Sequence, residues 1–473
     1  MIPNVFFPQN KPPGEDWIPF TLALDDIDSP GGGCTTHLTG LLLYELRDKL
    51  LLADYPLLVR LAPGVPWKTR GNAATVIRGW IQGFGYEELL ERARLLAVEY
   101  SSGRVNEPGK APGIALYKGT APWRDRVLRR LYLRGVSELV YGEYIVETAI
   151  SRGVMLWGGR GRVGAVLALA SLSPEDPYTY ELIAYRYPEN WGRPRCVDHD
   201  PVKESCIPAC ASNNYDLSTG KLAAAPNGPD PILAGFRGVC IGGLGCYASI
   251  LCEEPHFWVL YRSNQHTDIH YGSMLTPRLT PYKSIRITIT ILDKEKLPGS
   301  HILLQGLHPD LGKIIVAVYR ETGPMRRLAE NLVRGDLVEI MGTVRPYPGL
   351  DEGYTLAAEK LRIIKLEEEN LQVAPRCPRC GKRMKSMGRG QGYRCPRCGY
   401  RDPEAHPIMI HGIRRIVPSI VTPTPSNLRH LVKPPWLGSG PVTPIPHRLL
   451  KVNEVFSIKV PSPATLELCS DCM

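Results

Sequence analysis

The chain has no apolar run near the roughly 18 residues that a membrane span needs. Its longest candidate, Val163 to Leu172, is expected to be a buried helix. The stretch Met1 to Trp17 is rich in proline and has neither a basic segment nor an apolar core, so it does not read as a secretory signal. Together these absences predict a cytoplasmic protein with no membrane partner. A third absence is local: residues 376–401 hold nine Lys/Arg and no Asp/Glu. Such a block attracts a polyanion through counterion release, although a solvated basic face gives the same pattern. The formal net charge is only +10, so the distribution of charge says more than its size.

With 473 residues, the chain is too long for a single core. Hydrophobic residues at 43% and charged residues at 22% fit an ordinary globular protein. Thirteen cysteines argue for metal or catalysis before disulfides in a cytosolic chain, a hyperthermophilic source being the exception. Cys377, Cys380, Cys395 and Cys398 form two Cys-Pro-Arg-Cys-Gly knuckles separated by 14 residues. This is the pattern of a four-thiolate ribbon holding structural Zn2+. The glycine after each second cysteine permits the tight turn that aims N–H groups at sulfur. Cys469 and Cys472 form a third Cys-x2-Cys. They are open to a second metal with Cys206 and Cys210, to a disulfide, or to remaining free thiols.

Phe20 to Leu24 reads as a short buried strand. An acidic loop follows, Asp25-Asp26-Ile27-Asp28-Ser29-Pro30, then Gly31-Gly32-Gly33-Cys34-Thr35-Thr36. Leu38, Leu41, Leu42, Tyr44, Leu46 and Leu50 recur at helical spacing, which places these residues at a strand-to-helix junction with Thr35 or Thr36 as N-cap. Asp25, Asp26 and Asp28 offer the oxygen ligands that Mg2+ takes, with nucleotide phosphates completing its shell. The loop over 31–36 offers free N–H groups at a helix start, a cradle for phosphate. A second polar loop, Lys68-Thr69-Arg70-Gly71-Asn72, brings cations for the same phosphates. An acidic loop before a helix is equally a capped, solvated turn. Cys34 competes as a nucleophile whose thiol a helix N-terminus would acidify, with His37 its only flanking base.

Tyr86–Tyr100 and Trp123–Arg134 read as amphipathic helices, and 137–271 as mixed α/β with an extended insertion over 192–231. Within it, Arg160-Gly-Arg-Val-Gly164 opens a helix of small residues. Strands are predicted over 285–292, 300–305, 313–319, 337–344 and 354–364, with a helical patch over 325–333 between the third and fourth. That order is the pattern of an OB-fold, a barrel that binds single-stranded nucleic acid on one face.

Several motifs coincide: Asp25-Asp-Ile-Asp-Ser29 with Gly33-Cys-Thr-Thr36, Lys68-Thr-Arg-Gly-Asn72, Glu181-Leu-Ile-Ala-Tyr-Arg-Tyr-Pro188, Pro231-Ile-Leu-Ala-Gly-Phe-Arg-Gly238, Asn264-Gln-His-Thr-Asp268 and Gly388-Arg-Gly-Gln-Gly-Tyr-Arg-Cys395. Together they resemble the archaeal tRNA 2-agmatinylcytidine synthetase family, from about residue 20 through the ribbon. The resemblance implies a multidomain α+β chain. Its parts are an α/β kinase-like, ATP-binding domain over 1–136, a ferredoxin-like domain on the agmatine side over 137–275, an OB-fold β-barrel over 283–367 and a zinc ribbon over 374–403. A Pro-rich, basic arm over 404–473 follows.

The resemblance also implies an ATP-dependent ligase. It would attach agmatine to C2 of the wobble cytidine of the AUA-decoding isoleucine tRNA, whose anticodon is CAU. ATP phosphorylates the C2 oxygen, and the amine of agmatine then displaces phosphate. Thr35 maps onto the family's phosphate-accepting threonine, and Asp25, Asp26 and Asp28 onto metal binding or phosphoryl transfer. Gly33, Cys34, Thr36, Lys68, Arg70, Gly71 and Asn72 are expected to hold ATP. The guanidinium of agmatine needs a carboxylate, for which Asp230 and Asp268 are the candidates. Ile27 departs from the family's Thr, and the cysteines near 196–210 and at 469 and 472 lie outside its pattern. Two rival readings are a non-catalytic single-strand-binding protein and a small-molecule kinase tethered to RNA.

Overall fold

The computed structural model describes residues 12–28, 32–68, 71–101, 111–197, 211–245, 250–272, 279–347 and 353–458, less positions 213, 217–218, 227, 413, 415, 417–418 and 439–442. The first segment runs β1 (Trp17–Asp25), α1 (Thr35–Leu46), β2 (Leu50–Leu52), β3 (Leu57–Arg60), β4 (Ala73–Gln82), α2 (Tyr86–Ser101), β5 (Gly113–Tyr117), α3 (Arg126–Gly135), α4 (Gly142–Ser151), β6 (Met155–Gly158) and α5 (Gly161–Leu169). It continues with β7 (Thr179–Tyr185), the hairpin β8 (Tyr215–Asp216) and β9 (Lys221–Leu222), β10 (Ile232–Gly238), α6 (Ile241–Leu244) and β11 (Phe257–Ser263). The main path of one sheet is β10-β7-β11-β3-β4-β1-β5-β6. Its neighbours are antiparallel except β11 and β3. Because β6 pairs with β5, the sheet shows no break at residues 136–137.

Alternation along the strands decides the layers. Phe20, Leu22 and Leu24 of β1 pack with Leu38 and Leu42 of α1 and Leu89 of α2. Ala23, with Ala74 and Val76 of β4, packs on the other face with α3, α4 and α5. The small side chains of both partners let α5 lie close to the sheet. Its C-terminal end is fixed by Arg78, fully buried in β4, which donates to the carbonyls of Leu169 at 2.8 Å, Ser171 at 2.5 Å and Leu172 at 3.2 Å. Leu169 O is a carbonyl that the helix end leaves unpaired, and Ser171 and Leu172 follow the C-cap Ala170. Asp54 balances the charge, accepting from Arg262 Nε at 3.1 Å and lying 3.8 Å from Arg78 Nη1.

Five further strands form a barrel: β12 (Ser284–Lys296), β13 (Ile302–His308), β14 (Gly312–Val318), β15 (Leu337–Pro346) and β16 (Tyr354–Lys365). They are ordered β14-β13-β12-β15-β16 and closed by parallel pairing of β14 with β16. α7 (Pro324–Glu330), between β14 and β15, buries Met325 and Ala329 in the barrel core. After β17 (Glu369–Val373), the segment β18 (Lys385–Ser386), β19 (Tyr393–Arg394) and β20 (Arg401–Asp402) makes a three-stranded ribbon.

The arm folds back over the rest. Its β21 (Ile408–Gly412) pairs with β17, and β22 (Ile420–Val421) joins the barrel at β16. Then β23 (Leu450–Lys451) pairs with β2, and β24 (Phe456–Ser457) with β11. Short 3-10 turns at Pro425–Asn427 and Pro435–Gly438 lie between. No described helix is long and apolar enough to cross a membrane. Cys196, left open by the sequence, forms a disulfide with Cys252. Cys206, Cys210, Cys469 and Cys472 lie outside the described residues.

Candidate active site

One end of the large sheet gathers the polar residues. Asp25 closes β1 opposite Gly113, and Gly113 lies opposite Gly158 at the end of β6. Arg60 closes β3 opposite Ala73, and Glu181 of β7 lies opposite Arg237 of β10. Two cavities open along this end, of about 320 Å³ and about 250 Å³, and Asn72 and Ala73 line both.

The larger cavity is lined by Asp25, Asp26, Lys68 and Asn72, together with Glu138, Arg160, Gly161 and Gly164. Asp26 adopts a left-handed backbone (φ 59°), unusual for a side chain bearing Cβ and common at functional sites. Its Oδ2 meets Arg160 Nη2 at 3.2 Å. Burial lifts the Asp25 carboxyl well above the usual carboxylate range, and the charges of Asp26 and Asp28 lift it further. Burial also raises Asp26, against the pull of Arg160. Crowded carboxylates of this kind gain their charge back when a cation joins them. Gly161 and Gly164 place the first turn of α5 directly on Asp25, leaving no room for a side chain. Arg160 and an acidic pair thus face one space, a cation for phosphate beside carboxylates for a divalent ion, while the N–H groups of Gly161, Arg162 and Val163 are bonded to Ala111 O, Gly159 O and Arg160 O. At its rim, burial and then Arg429 and Arg345 lower the Lys68 ammonium, so three cations converge there.

The smaller cavity is lined by Asp28, Cys34, Thr35, Thr36, Gly71 and Asp230, with Arg60, Glu181, Arg237 and His430. α1 begins at Thr35, with Cys34 in the N-cap position and no side-chain cap bond. Neither threonine is therefore the N-cap expected from the sequence. The Thr35 hydroxyl instead accepts from Ile27 N at 3.4 Å, and Tyr261 Oη donates to Thr36 O at 2.7 Å. The nucleophile reading of Cys34 is corrected too. Burial raises its thiol rather than acidifying it. The flanking His37 is enclosed by Tyr100, Tyr185, Trp191 and Phe257, and burial, with the charge of His256, holds its imidazole down at about 3.

Asp268 reaches neither cavity. Its Oδ2 accepts from Lys360 Nζ of the barrel at 2.5 Å, and its Oδ1 from Lys433 N of the arm at 2.7 Å. The expectation that it holds agmatine gives way to a structural role, since both oxygens are engaged in joining three parts of the chain. Gly33 is buried beside α1 at φ 82°, and Arg70 lies outside the described residues. The sequence reading missed Arg60, Glu138, Arg160, Arg237 and His430. A signal existed for Arg160: Gly159-Arg-Gly161-Arg-Val-Gly164 follows a strand and opens a helix, the setting in which glycines cradle phosphate.

Among the described residues, only Cys377, Cys380, Cys395 and Cys398 bring potential metal-ligand atoms within 4.8 Å of one another as a group. Cys377 and Cys398 sulfurs lie 3.5 Å apart, and Cys380 and Cys395 sulfurs 3.4 Å. Tetrahedral zinc–sulfur bonds of about 2.3 Å set sulfurs roughly 3.8 Å apart, so the four thiols are arrayed for one ion. Gly381 (φ 70°) and Gly399 (φ 73°) make the knuckle turns, and Arg397 N points at Cys395 Sγ at 3.4 Å.

Family models match in order: the TiaS TCKD domain over residues 21–158, the TiaS FLD domain over 159–270 and the TiaS C-terminal zinc ribbon domain over 374–416. A tRNA(Ile2) 2-agmatinylcytidine synthetase TiaS from Acidilobus saccharovorans is 46% identical over 79% of this chain and 84% of its own length. The chain belongs to the tRNA(Ile2) 2-agmatinylcytidine synthetase family. A second synthetase, from Staphylothermus marinus, is 37% identical over 87% of this chain and 92% of its own. Among solved synthetases, apo TiaS superposes with a TM-score of 0.76 at 27% identity, covering 88% of this chain and 97% of that one. The TiaS–tRNA(Ile2)–ATP complex gives a TM-score of 0.76 at 26% identity, with the same coverage.

Proposed function

We propose that the two cavities divide the work of the family's reaction, the ATP-dependent attachment of agmatine to C2 of the wobble cytidine of tRNA(Ile2). The larger takes the triphosphate of ATP, with Arg160 and Lys68 on the phosphates. Asp25 and Asp26 carry Mg2+, which neutralises phosphate charge when bound. Its carboxylate donor set suits that ion, and the crowding of charge around Asp25 is the strain it relieves. The smaller cavity presents Thr35 as phosphate acceptor and Asp230 as partner for the agmatine guanidinium.

The observation that carries this reading is the common wall, Asn72–Ala73, between an anion-binding cavity and a hydroxyl-bearing one. Phosphoryl transfer asks a protein mainly for positioning and charge stabilisation, and this geometry supplies both. The first half of the large sheet serves as the kinase-like part and the second half as the ferredoxin-like part. The barrel acts as an OB-fold. With the basic ribbon and its structural Zn2+, it grips the RNA by stacking and charge.

The test is to incubate the protein with γ-labelled ATP, Mg2+, agmatine and an unmodified isoleucine tRNA transcript bearing a CAU anticodon. The wobble nucleoside is then weighed by mass spectrometry. A gain of agmatine minus water, lost in Thr35→Ala and Asp28→Ala, is expected. An unmodified cytidine with tight tRNA binding and no ATP consumption would favour the binding-protein reading instead.

A further inference from the structure

Two arginines line the Thr35 cavity, and they are held differently. Arg237 is engaged by a carboxylate, its Nε donating to Glu181 Oε1 at 3.1 Å. Arg60 is held by amides. Asn264 clamps its backbone from both sides, its Oδ1 accepting from Arg60 N at 2.8 Å and its Nδ2 donating to Arg60 O at 2.8 Å. Arg60 Nε donates to Gln265 Oε1 at 3.3 Å, and Gln265 Nε2 donates in turn to Glu181. The Gln265 amide thus stands between the Arg60 cation and the carboxylate that would otherwise neutralise it.

The two terminal nitrogens of Arg60 make no hydrogen bond or ion pair with the described residues. They lie under the second polar loop: a Cβ on Gly71 would sit 2.2 Å from Arg60 Nη1. The next residue, Asn72, is the wall shared by the two cavities. The guanidinium therefore lines the Thr35 cavity under Gly71, one residue before the wall shared with the space for ATP phosphates. Burial lowers its pKa to about 10, which leaves it charged at neutral pH. A desolvated guanidinium with two nitrogens to spare suits the bidentate grip that arginine makes on phosphate.

We infer that Arg60 is a catalytic residue that grips the phosphoryl group as it passes from ATP to Thr35, and that Asn264 and Gln265 are its positioning residues. This rests on the two-cavity reading above. In the step, a bond forms between Thr35 Oγ and the γ-phosphorus. The bond from that phosphorus to the bridging oxygen breaks, and ADP leaves. The hydroxyl proton ends on an oxygen of the transferred phosphoryl group. Negative charge builds on the transferring group and the leaving oxygen, where a fixed guanidinium is most effective.

The test measures, in the full-length protein, the rate of phospho-Thr35 formation at saturating ATP and the Kd for ATP. Arg60→Lys keeps a charge but removes the planar fork. It is expected to slow phospho-Thr35 formation by about 100-fold or more, with the Kd for ATP and the melting temperature close to wild type. Gln265→Leu is expected to slow the same rate by a smaller factor, again with Kd unchanged. A wild-type rate in Arg60→Lys overturns the assignment. So does a loss explained wholly by weaker ATP binding or by unfolding, which would make Arg60 a binding or structural residue. If the wild-type protein forms no phospho-Thr35 at all, the two-cavity reading falls and takes this one with it. A working wild type beside an unaffected Arg60→Lys sinks only the role of Arg60.

Discussion

A Cβ on Gly164 would sit 1.7 Å from Asp25 Oδ2, so the carboxylate occupies space that any side chain at residue 164 would need. Helix propensity alone makes Gly164→Ala favourable by about 1 kcal/mol. The substitution is nonetheless expected to push Asp25 off the first turn of α5 and to lower ATP turnover by about 100-fold or more, in a protein that still folds. Turnover and circular dichroism on the same preparation check this. Wild-type turnover would remove Asp25 from the phosphate site.

Arg78 holds the opposite end of α5. Arg78→Met leaves the carbonyls of Leu169 and Ser171 without their buried donor, while Arg262 still donates to Leu172 O and pairs with Asp54. An unsatisfied buried group costs about 1–3 kcal/mol. The first melting transition should therefore fall by several degrees, and turnover should fall with it as the helix shifts. A melting temperature within a degree of wild type would show that α5 is fixed by packing alone.

Glu359 of the barrel predicts an acid limb. Burial opposes its ionisation, but His270 at 3.5 Å, Arg429 Nε at 3.0 Å and Thr343 Oγ1 at 2.9 Å outweigh that and hold its carboxyl down at about 2. Folded below its unfolded value, the group adds stability that is fully present above about pH 4.5. That stability is lost as pH falls toward 2, on the order of 3 kcal/mol in all. Urea unfolding of wild type and Glu359→Gln should show a gap at pH 7 that closes across this window. A gap independent of pH would mean that the carboxylate charge contributes nothing.

Removing zinc should act locally. The ribbon's buried cluster consists of Cys377, Met384 and Cys395, too little apolar surface to hold the segment without an ion. Chelation is expected to expose the ribbon to protease while the large sheet keeps its melting temperature. The affinity for tRNA should drop, with a shallower salt dependence as basic contacts are lost. Unchanged tRNA affinity after chelation would take the ribbon out of RNA binding.

The parts legible in the sequence were those with local causes. Alternation and turn residues gave the five barrel strands and the helix between them, and cysteine spacing gave the ribbon. The acidic loop of Asp25–Asp28 and the Cys34-Thr35-Thr36 turn were placed correctly between a strand and a helix. What could not be read is what strand order assembles. β3 lies beside β11, and Glu181 lies across from Arg237, because of a sheet path that no local pattern encodes. Asp268 looked like a spare carboxylate until the fold brought Lys360 and Lys433 to it. His430 reaches the Thr35 cavity only because the backbone of the arm, at His430 and Leu431, accepts from His266 N at 2.8 Å and Asp268 N at 2.9 Å.

That return of the arm bears on the order of events at the ribosome. The cavity built from Asp28, Thr35 and Glu181 lacks a wall until His430 arrives, and β2 and β11 each lack a partner strand until Leu450–Lys451 and Phe456–Ser457 pair with them. A nascent chain that has emerged only as far as the ribbon already displays its basic surface but has an unfinished cavity. The same holds for any chain broken off before residue 430. Such chains should hold RNA without modifying it, so competence waits on the segment from His430 to Ser457.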